Sequence, residues 1–514
     1  MSRRRADEQI AWLRDYAPRR INSQLIDERR CIPPYIVQDF GTAGLFGPLI
    51  EERHGGTALR FVDMFRVFEQ LMAIDTALGT WLCTSLFPGT RALSVWAGEQ
   101  VKQQWLPLLA SGRTLGAYAQ TEPGAGSDFT HLSTIARPAH GGWLLNGSKH
   151  LIGNGTWAAI STVLARPQRT SGSGSSLIAL AVPTALPGVY PGEEHLTLGQ
   201  RGMVQSRMHF VDVTVPDSHV LADGDGRAVA MDSMSASRLG VAAFALGALK
   251  RVIQIGSRFA ARRSTGGLVL KDRAWVRAWL AETIARADIL EALVYNQADR
   301  LDAGQVVEIE GVVTAKVLGA EWAVEAADVL VQLMGGLGYD EANMAARMYR
   351  DLRVYRIFEG PSEALCDFLG RRALRQTAQV RALIDERCGP GLGARFAAAL
   401  EARRTRTADV DEAPDAPHAP IATALMWTLA AGALSRPTTP YQAHARTVAD
   451  WHLQHALEQL CSTASPSPLN SDALLEAAVG RYQQRIGDLA QHLPGARTTP
   501  DELTQPASPD TASP

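Results

Sequence analysis

Apolar residues early in the chain recur at helical spacing. Leu59, Phe61, Val62, Phe65, Val67, Phe68, Leu71 and Met72 fall close to a 3.6-residue period and predict one helix over 59 to 84, stopped by Phe87-Pro88-Gly89. A second helix is expected around Ser94 to Ala110, ending at Ser111-Gly112. From about 116 the texture changes. Trp143-Leu144-Leu145, Ala159 to Ala165, Ser176 to Val182 and Met208 to Val215 read as strands. Between them stand Gly141-Gly142, Asn146-Gly147, Asn154-Gly155 and the run TSGSGSS at 170 to 176, with Asn146-Gly147 as the hairpin signal. Helical patterns return at Ala230 to Ala261, Trp275 to Ala303, Val306 to Gly336 and from Pro361 through Ala373. Ala408 to Pro420 reads as a linker, followed by helices at about 421 to 435, 441 to 463 and 471 to 492. The expected architecture is α+β and mostly α. It comprises an N-terminal helical domain (1–115), a middle β-barrel or sandwich domain (116–222), a C-terminal four-helix bundle (223–375), an additional helical domain (376–492) and a Thr-, Pro- and Ser-rich tail (493–514) expected to be disordered.

Length and composition narrow the class. The chain has 514 residues, 46% hydrophobic, enough for roughly three or four domains. A net charge of −2 makes no case for nucleic acid or a charged membrane surface. No apolar run comes near the roughly 18–20 residues of a membrane span. The N-terminal MSRRRADEQIAWLRDY lacks the apolar core and cleavage site of a secretory signal. Cys31, Cys83, Cys366, Cys388 and Cys461 are scattered and odd in number, which points to reduced thiols in a cytoplasmic protein without structural zinc. His452 and His455 sit three apart on one helix, a spacing that favours a packed or solvated pair over a metal site when no acidic partner motif accompanies it.

Two stretches carry candidate chemistry. In Ala117 to Thr130, AYAQTEPGAGSDFT, a strand-like run breaks at Pro123, and Gly124 and Gly126 free the backbone to approach a ligand. Ser127 and Asp128 follow, where a turn can present N–H groups and a hydroxyl to phosphate oxygens. In Met348 to Arg372, MYRDLRVYRIFEGPSEALCDFLGRR, Glu359 lies between an apolar run and a helix start. It is either an acid complementing the helix dipole or a carboxylate in apolar surroundings, with a pKa raised towards neutrality and so useful as a base.

Together these stretches resemble the acyl-CoA dehydrogenase family. The resemblance covers about residues 20 to 375 and includes TEPGAGSD, GGWLLNGSKHLIGNG, HFVDVTVPDSHVLA, VQLMGGLGY and YRIFEGPSEAL in the family's order. It implies FAD between the β domain and the bundle. Tyr118, Thr121, Gly126, Ser127 and Gly153 match positions near the flavin or its pyrophosphate. Arg263 matches a pyrophosphate-binding arginine. Gln332 and Gly336 match the segment that reaches the adenine end of FAD in a neighbouring subunit, which implies a homo-oligomer, with a dimer favoured by the added C-terminal region. Glu359 matches the catalytic base, with Arg238 near it, and Ser127, Arg238, Phe358 and Gly360 border the substrate. The implied reaction is α,β-dehydrogenation of an acyl thioester of CoA or of a carrier protein. Glu359 takes the α-proton, flavin N5 takes the β-hydride, and electrons pass to an electron-transfer flavoprotein.

Several positions depart from the family pattern. Leu151 and Gly153 stand where an aromatic residue and a Thr or Ser usually meet the isoalloxazine. Gly266 replaces an aromatic, Ala274 a Gln and Pro361 a Thr, and Phe358 stands where Tyr is common. Ser235, where an acidic residue is common near CoA, hints at a specialised substrate such as one of secondary metabolism. Two alternatives stay open at this point: an oxygen-using relative, either an acyl-CoA oxidase or a flavin monooxygenase, and a non-catalytic scaffold that kept the fold.

Overall fold

In the computed structural model the described residues are 1–126, 131–168, 176–411, 418–461 and 472–486. Seven helices open the chain: α1 (Ser2–Arg20), α2 (Ser23–Arg29), α3 (Pro34–Thr42), α4 (Phe61–Ile74), α5 (Thr76–Thr84), α6 (Arg91–Trp96) and α7 (Glu99–Ala110). The single helix expected over 59 to 84 is two. Asp75 is extended (φ −152°, ψ 121°), and its carboxylate caps α5 by accepting from the Leu78 N–H at 2.8 Å. The apolar period crosses this break because both helices face one core. Pro88 does not stop the run either. Ser85–Thr90 continues as a wide π turn with Pro88 inside it, a spacing that eases the clash of the ring with the preceding turn. The helix expected around 94 to 110 is likewise divided, at Ala97-Gly98. Gly89 of the π turn lies against Gly116, where a Cβ would stand 2.8 Å from the Gly116 carbonyl oxygen; this close approach seats the β domain on the helices.

Seven strands follow: β1 (Leu115–Ala119), β2 (Ile135–Ala139), β3 (Gly142–Gly153), β4 (Ala158–Pro167), β5 (Ile178–Pro183), β6 (Val189–Glu194) and β7 (Gln205–Pro216). They form one mixed sheet in the order β1-β4-β2-β3-β7-β6, with β5 also on β4. β1 runs parallel to β4, with Tyr118 opposite Thr162, and β2, β3, β7 and β6 are antiparallel neighbours. Alternate residues of β1, β3, β4, β5 and β7, among them Ala117, Leu145, Val163, Leu180 and Phe210, share one buried core. The hairpin expected at Asn146-Gly147 is not there. The turn falls at His140-Gly141, and Asn146-Gly147 lies inside β3 at a register shift. The Asn146 side chain bonds Asp212 on β7, and a Cβ on Gly147 would collide with Thr134 at 2.5–2.8 Å.

The bundle is built from α8 (Gly226–Arg262), then the two-stranded β8 (Ser264–Thr265) and β9 (Leu268–Val269), α9 (Ala274–Asp302), α10 (Ile309–Met334), the short α11 (Gly336–Tyr339) and α12 (Met344–Leu352), and α13 (Ser362–Arg375). The expectation that no apolar run approaches a membrane span does not hold for α8. By length and composition α8 does qualify as a membrane span, because Ala, Gly, Val and Leu outweigh its few charges; however, 72% of its most apolar window is already buried, as in a bundle's core helix. Asp302 closes the far end of α9 onto α4, its carboxylate accepting from the N–H groups of Phe61 (2.6 Å) and Val62 (3.1 Å).

Beyond the bundle come α14 (Thr377–Cys388), α15 (Pro390–Asp411), α16 (Ala419–Ala433) and α17 (Pro440–Cys461). Pattern reading expected neither α14 nor α15, and α15 runs into the first residues of the expected linker, of which 412–417 lie outside the described residues. Residues Met1–Leu460 make one unit. α16 packs on α9, α10 and α13. His452 of α17 stacks on Trp427 of α16 (4.2 Å) and meets Glu282 of α9 (2.9 Å), so it is a packed histidine, and His455 stacks on Trp451. A second unit, Cys461–Pro514, is described only by α18 (Asp472–Ile486); the expected tail, 493–514, lies outside the described residues.

Candidate active site

β1 delivers the chain to the 120–126 turn, and a buried ion pair fixes that turn. Lys149 of β3 donates to the Gln120 carbonyl (2.9 Å) and to Glu122 Oε1 (2.7 Å), and the same carboxylate accepts from Ser133 and from the Thr134 N–H. These bonds hold the Glu122 carboxyl far below its usual range, at about 2, against the opposing effect of burial. Burial pushes the Lys149 ammonium down to about 8, against the pull of Glu122. The His150 N–H, donating to the Thr121 carbonyl at 2.8 Å, ties the same turn to β3.

Glu359 lies in the turn before α13. Its φ is +55° and that of Gly360 is +99°, both left-handed. For a non-glycine residue this costs about 1–2 kcal/mol. Two cations from the bundle hold the turn. Arg238 Nε, on α8, donates to the Glu359 carbonyl at 2.9 Å, and Lys316 Nζ, on α10, donates to the Gly360 carbonyl at 2.6 Å. Charge-assisted hydrogen bonds of this kind contribute about 1.5–3 kcal/mol each, enough to offset the strain. The Tyr355 ring, packed 5.2 Å from Phe358 and sharing a 2.8 Å hydrogen bond with Thr80, fixes the turn against α5. Burial raises the Glu359 carboxyl above its ordinary pKa, while Arg238, Ser237 and Lys316 pull it back.

These two turns face each other across a cavity of about 380 Å³, within the roughly 300–1,000 Å³ of small-molecule sites. Tyr118, Thr121, Gly126, Gly153, Phe358, Glu359 and Gly360, all expected site residues, line it, together with Gln120, Leu151, Met203, Gln205 and Met234. Arg238 sits behind the wall, on the Glu359 carbonyl. Arg263, Gln332 and Gly336 do not reach this cavity; they are exposed at the far end of the bundle, where Leu333 packs with Ala260 and Val276. Ser127 lies outside the described residues. Sequence reading missed Glu122, Lys149 and Lys316. The available signal was a lysine on the inward side of a strand and another in the apolar run of a helix, where only a paired charge is tolerated. Larger clefts of about 770, 730 and 690 Å³ exist elsewhere; in the first Arg300 and Arg387 pair with Glu308, and in the last Lys250 pairs with Glu69.

Comparison with known proteins finds relatives over most of the chain. Family models described as acyl-CoA dehydrogenase N-terminal, middle and C-terminal domains match residues 7–113, 117–213 and 224–374. An acyl-CoA dehydrogenase of Bacillus subtilis (strain 168) is 31% identical over 354 residues, 68% of this chain and 93% of that protein. The human mitochondrial very long-chain specific acyl-CoA dehydrogenase is 30% identical over 330 residues, 63% of this chain and 50% of that one. Butyryl-CoA dehydrogenase from Megasphaera elsdenii superposes with a TM-score of 0.68 at 25% identity, over 72% of this chain and 98% of that one. For an acyl-CoA dehydrogenase from Bacillus anthracis the TM-score is 0.76 at 20% identity, over 93% of this chain and 90% of that one, so the shared fold extends past the bundle. The chain belongs to the acyl-CoA dehydrogenase family. Members of this family are FAD-dependent oxidoreductases that act on the CH–CH bond of acyl-CoA.

The residues present fit a flavin. Leu151, Met203, Met234, Ile357 and Phe358 offer apolar walls to a flat ring, and Tyr118, Gln120, Thr121 and Gln205 offer polar groups to its edge. At Gly124 and Gly126 no atom of the described residues lies within 4 Å of where a Cβ would stand, and turn N–H groups of this kind suit phosphates. Leu151 departs from the aromatic common in the family. It sits in a β3 irregularity at φ +56° and is 47% exposed at the cavity.

Proposed function

We propose that this chain converts a saturated acyl thioester into its trans-2-enoyl form, with Glu359 as the base that removes the α-proton. The observation that carries this reading is the placement of the Glu359 carboxyl. It is half-buried, raised in pKa by burial, and lines the cavity it shares with the 120–126 turn. A base of this kind contributes about 10²–10⁴ in rate. Bound FAD supplies the acceptor for the β-hydrogen, which leaves as hydride. The Glu359 N–H, which has no main-chain acceptor among the described residues, is available to the thioester carbonyl as charge develops on it. The apolar wall keeps water from the carboxyl and so preserves its basicity towards carbon.

The thioester is carried by CoA or by a carrier protein's pantetheine, and an electron-transfer flavoprotein takes the electrons. Arg263, Gln332 and Gly336 serve the cofactor of a second copy in a homodimer. The exposure of all three, beside Leu337 (60%) and Tyr339 (85%) at the bundle's end, supports that arrangement.

The test is a visible spectrum of the purified protein, then anaerobic titration with straight-chain, branched and aromatic acyl-CoA thioesters and with one acyl-carrier protein. Bleaching by at least one thioester, with enoyl product, is expected. A colourless protein that takes up no added FAD defeats the proposal. Rapid peroxide formation on admitting air assigns an oxidase instead.

A further inference from the structure

We propose that Lys316 is a positioning residue for the base: by holding the Gly360 carbonyl while Arg238 holds that of Glu359, it sets where the Glu359 carboxyl points. The inference rests on the reading of Glu359 as the base. Lys316 is wholly buried, and Nζ makes its 2.6 Å bond to the main chain of the turn rather than to any carboxylate. A lysine taken out of water for one carbonyl is costly unless the bond has a task. Here the task is visible in the backbone. Two consecutive left-handed residues, at φ +55° and +99°, would relax without donors on both carbonyls.

The charge of Lys316 acts on the same carboxyl. It helps hold Glu359 down against burial, so removing it raises the Glu359 pKa further. Burial pushes Lys316 itself down to about 8. Every charged neighbour takes part in that balance. Glu359 in the turn, Glu321 on α10 and Glu363 on α13 draw Lys316 up, Arg238 on α8 pushes it down, and Arg356 pairs with Glu321 and Glu363, while the Cys366 thiol on α13 is pushed up to about 11. Above about pH 8, therefore, the grip on Gly360 weakens from a charged to a neutral hydrogen bond.

The experiment follows acyl-CoA-dependent enoyl formation by the FAD-loaded enzyme from pH 5.5 to about 10, using the thioester that turns over fastest in wild type. Wild type is expected to show an acid limb from Glu359 and an alkaline limb near 8. Lys316→Met should lower kcat about 10- to 100-fold, with KM changed less than about 3-fold, and should move the acid limb to higher pH. Lys316→Arg should restore the acid limb and move the alkaline limb beyond the range, because guanidinium stays protonated. FAD content and thermal melting are measured alongside. If Lys316→Met does not fold, the displaced alkaline limb of Lys316→Arg decides. An acid limb unmoved in Lys316→Met, or an alkaline limb unmoved in Lys316→Arg, overturns the proposal. Glu359→Gln separates the two claims: a wild-type rate there removes the base itself, whereas an inactive Glu359→Gln beside a wild-type profile in Lys316→Met removes only the role of Lys316.

Discussion

Lys149 Nζ lies 2.7 Å from Glu122 Oε1, and the two side chains are 0% and 2% exposed. This pair is the only ionic link between β3 and the turn that forms one wall of the cavity, among the described residues. Breaking one side of a buried pair leaves the other charge stranded, at about 3–5 kcal/mol. Lys149→Met and Glu122→Ala are each expected to destabilise the protein by that amount in urea unfolding and to reduce bound FAD. The double variant should lose less than the sum of the singles. Additive losses would mean that the two residues act separately.

Glu359→Gln keeps the shape of the turn, since Arg238 and Lys316 hold main-chain carbonyls. The variant should stay yellow and lose thioester-dependent bleaching by at least about 10²-fold. Bleaching at the wild-type rate places the base elsewhere.

Asp351 predicts a pH dependence of stability. Its carboxyl is buried and accepts from Thr76 Oγ1 and the Gln200 N–H, both at 2.5 Å. Burial pushes it up to about 7, with Thr76 and Gln200 opposing. A carboxyl with a folded pKa above its unfolded value near 4 is more protonated in the native state. Stability therefore falls as pH rises between those values, by up to about 1.4 kcal/mol per pH unit. Asp351→Asn, whose amide oxygen can accept from the Gln200 N–H while its N–H donates to Thr76 Oγ1, should flatten the melting temperature between about pH 4.5 and 7. An equally steep slope in that variant would assign the dependence to other groups.

Arg263→Ala and Gln332→Ala change residues exposed far from Glu359. If they serve the cofactor across a dimer, each should weaken FAD retention by about 10-fold or more, the scale of one charge-assisted bond, without changing the melt of the apoprotein. Sedimentation should show a dimer in wild type. Unchanged retention in both, or a monomer that holds FAD fully, would refute the shared site.

Much of the fold was legible because long amphipathic helices and short alternating strands leave different apolar periods. Glu359 and the Thr121–Gly126 turn could be found from their unusual residue order. What could not be read was local geometry decided by tertiary contacts. Asp75 breaks a helix without breaking its apolar stripe. Pro88 is absorbed by a π turn because Gly89 must reach Gly116. Asn146-Gly147 carries a turn signature, yet it is spent on Asp212 and Thr134 inside a strand. α14 and α15 bury Val380 and Ile384, and Leu392, Phe396 and Leu400, at helical spacing, a period that pattern reading overlooked among the intervening charged and small residues. The roles of Lys149 and Lys316 depend on carbonyls 29 and 44 residues away, and no local pattern encodes that pairing.

Gly153 has an evolutionary corollary. A Cβ there would stand 2.6 Å from the Thr84 methyl, and Thr84 is locked by its own bond to the Thr80 carbonyl at 3.0 Å. A side chain at 153 therefore requires Thr84 to shift or to change. Substitutions at 153 should be better tolerated beside a smaller residue at 84 than alone, so the two sites should exhibit epistasis.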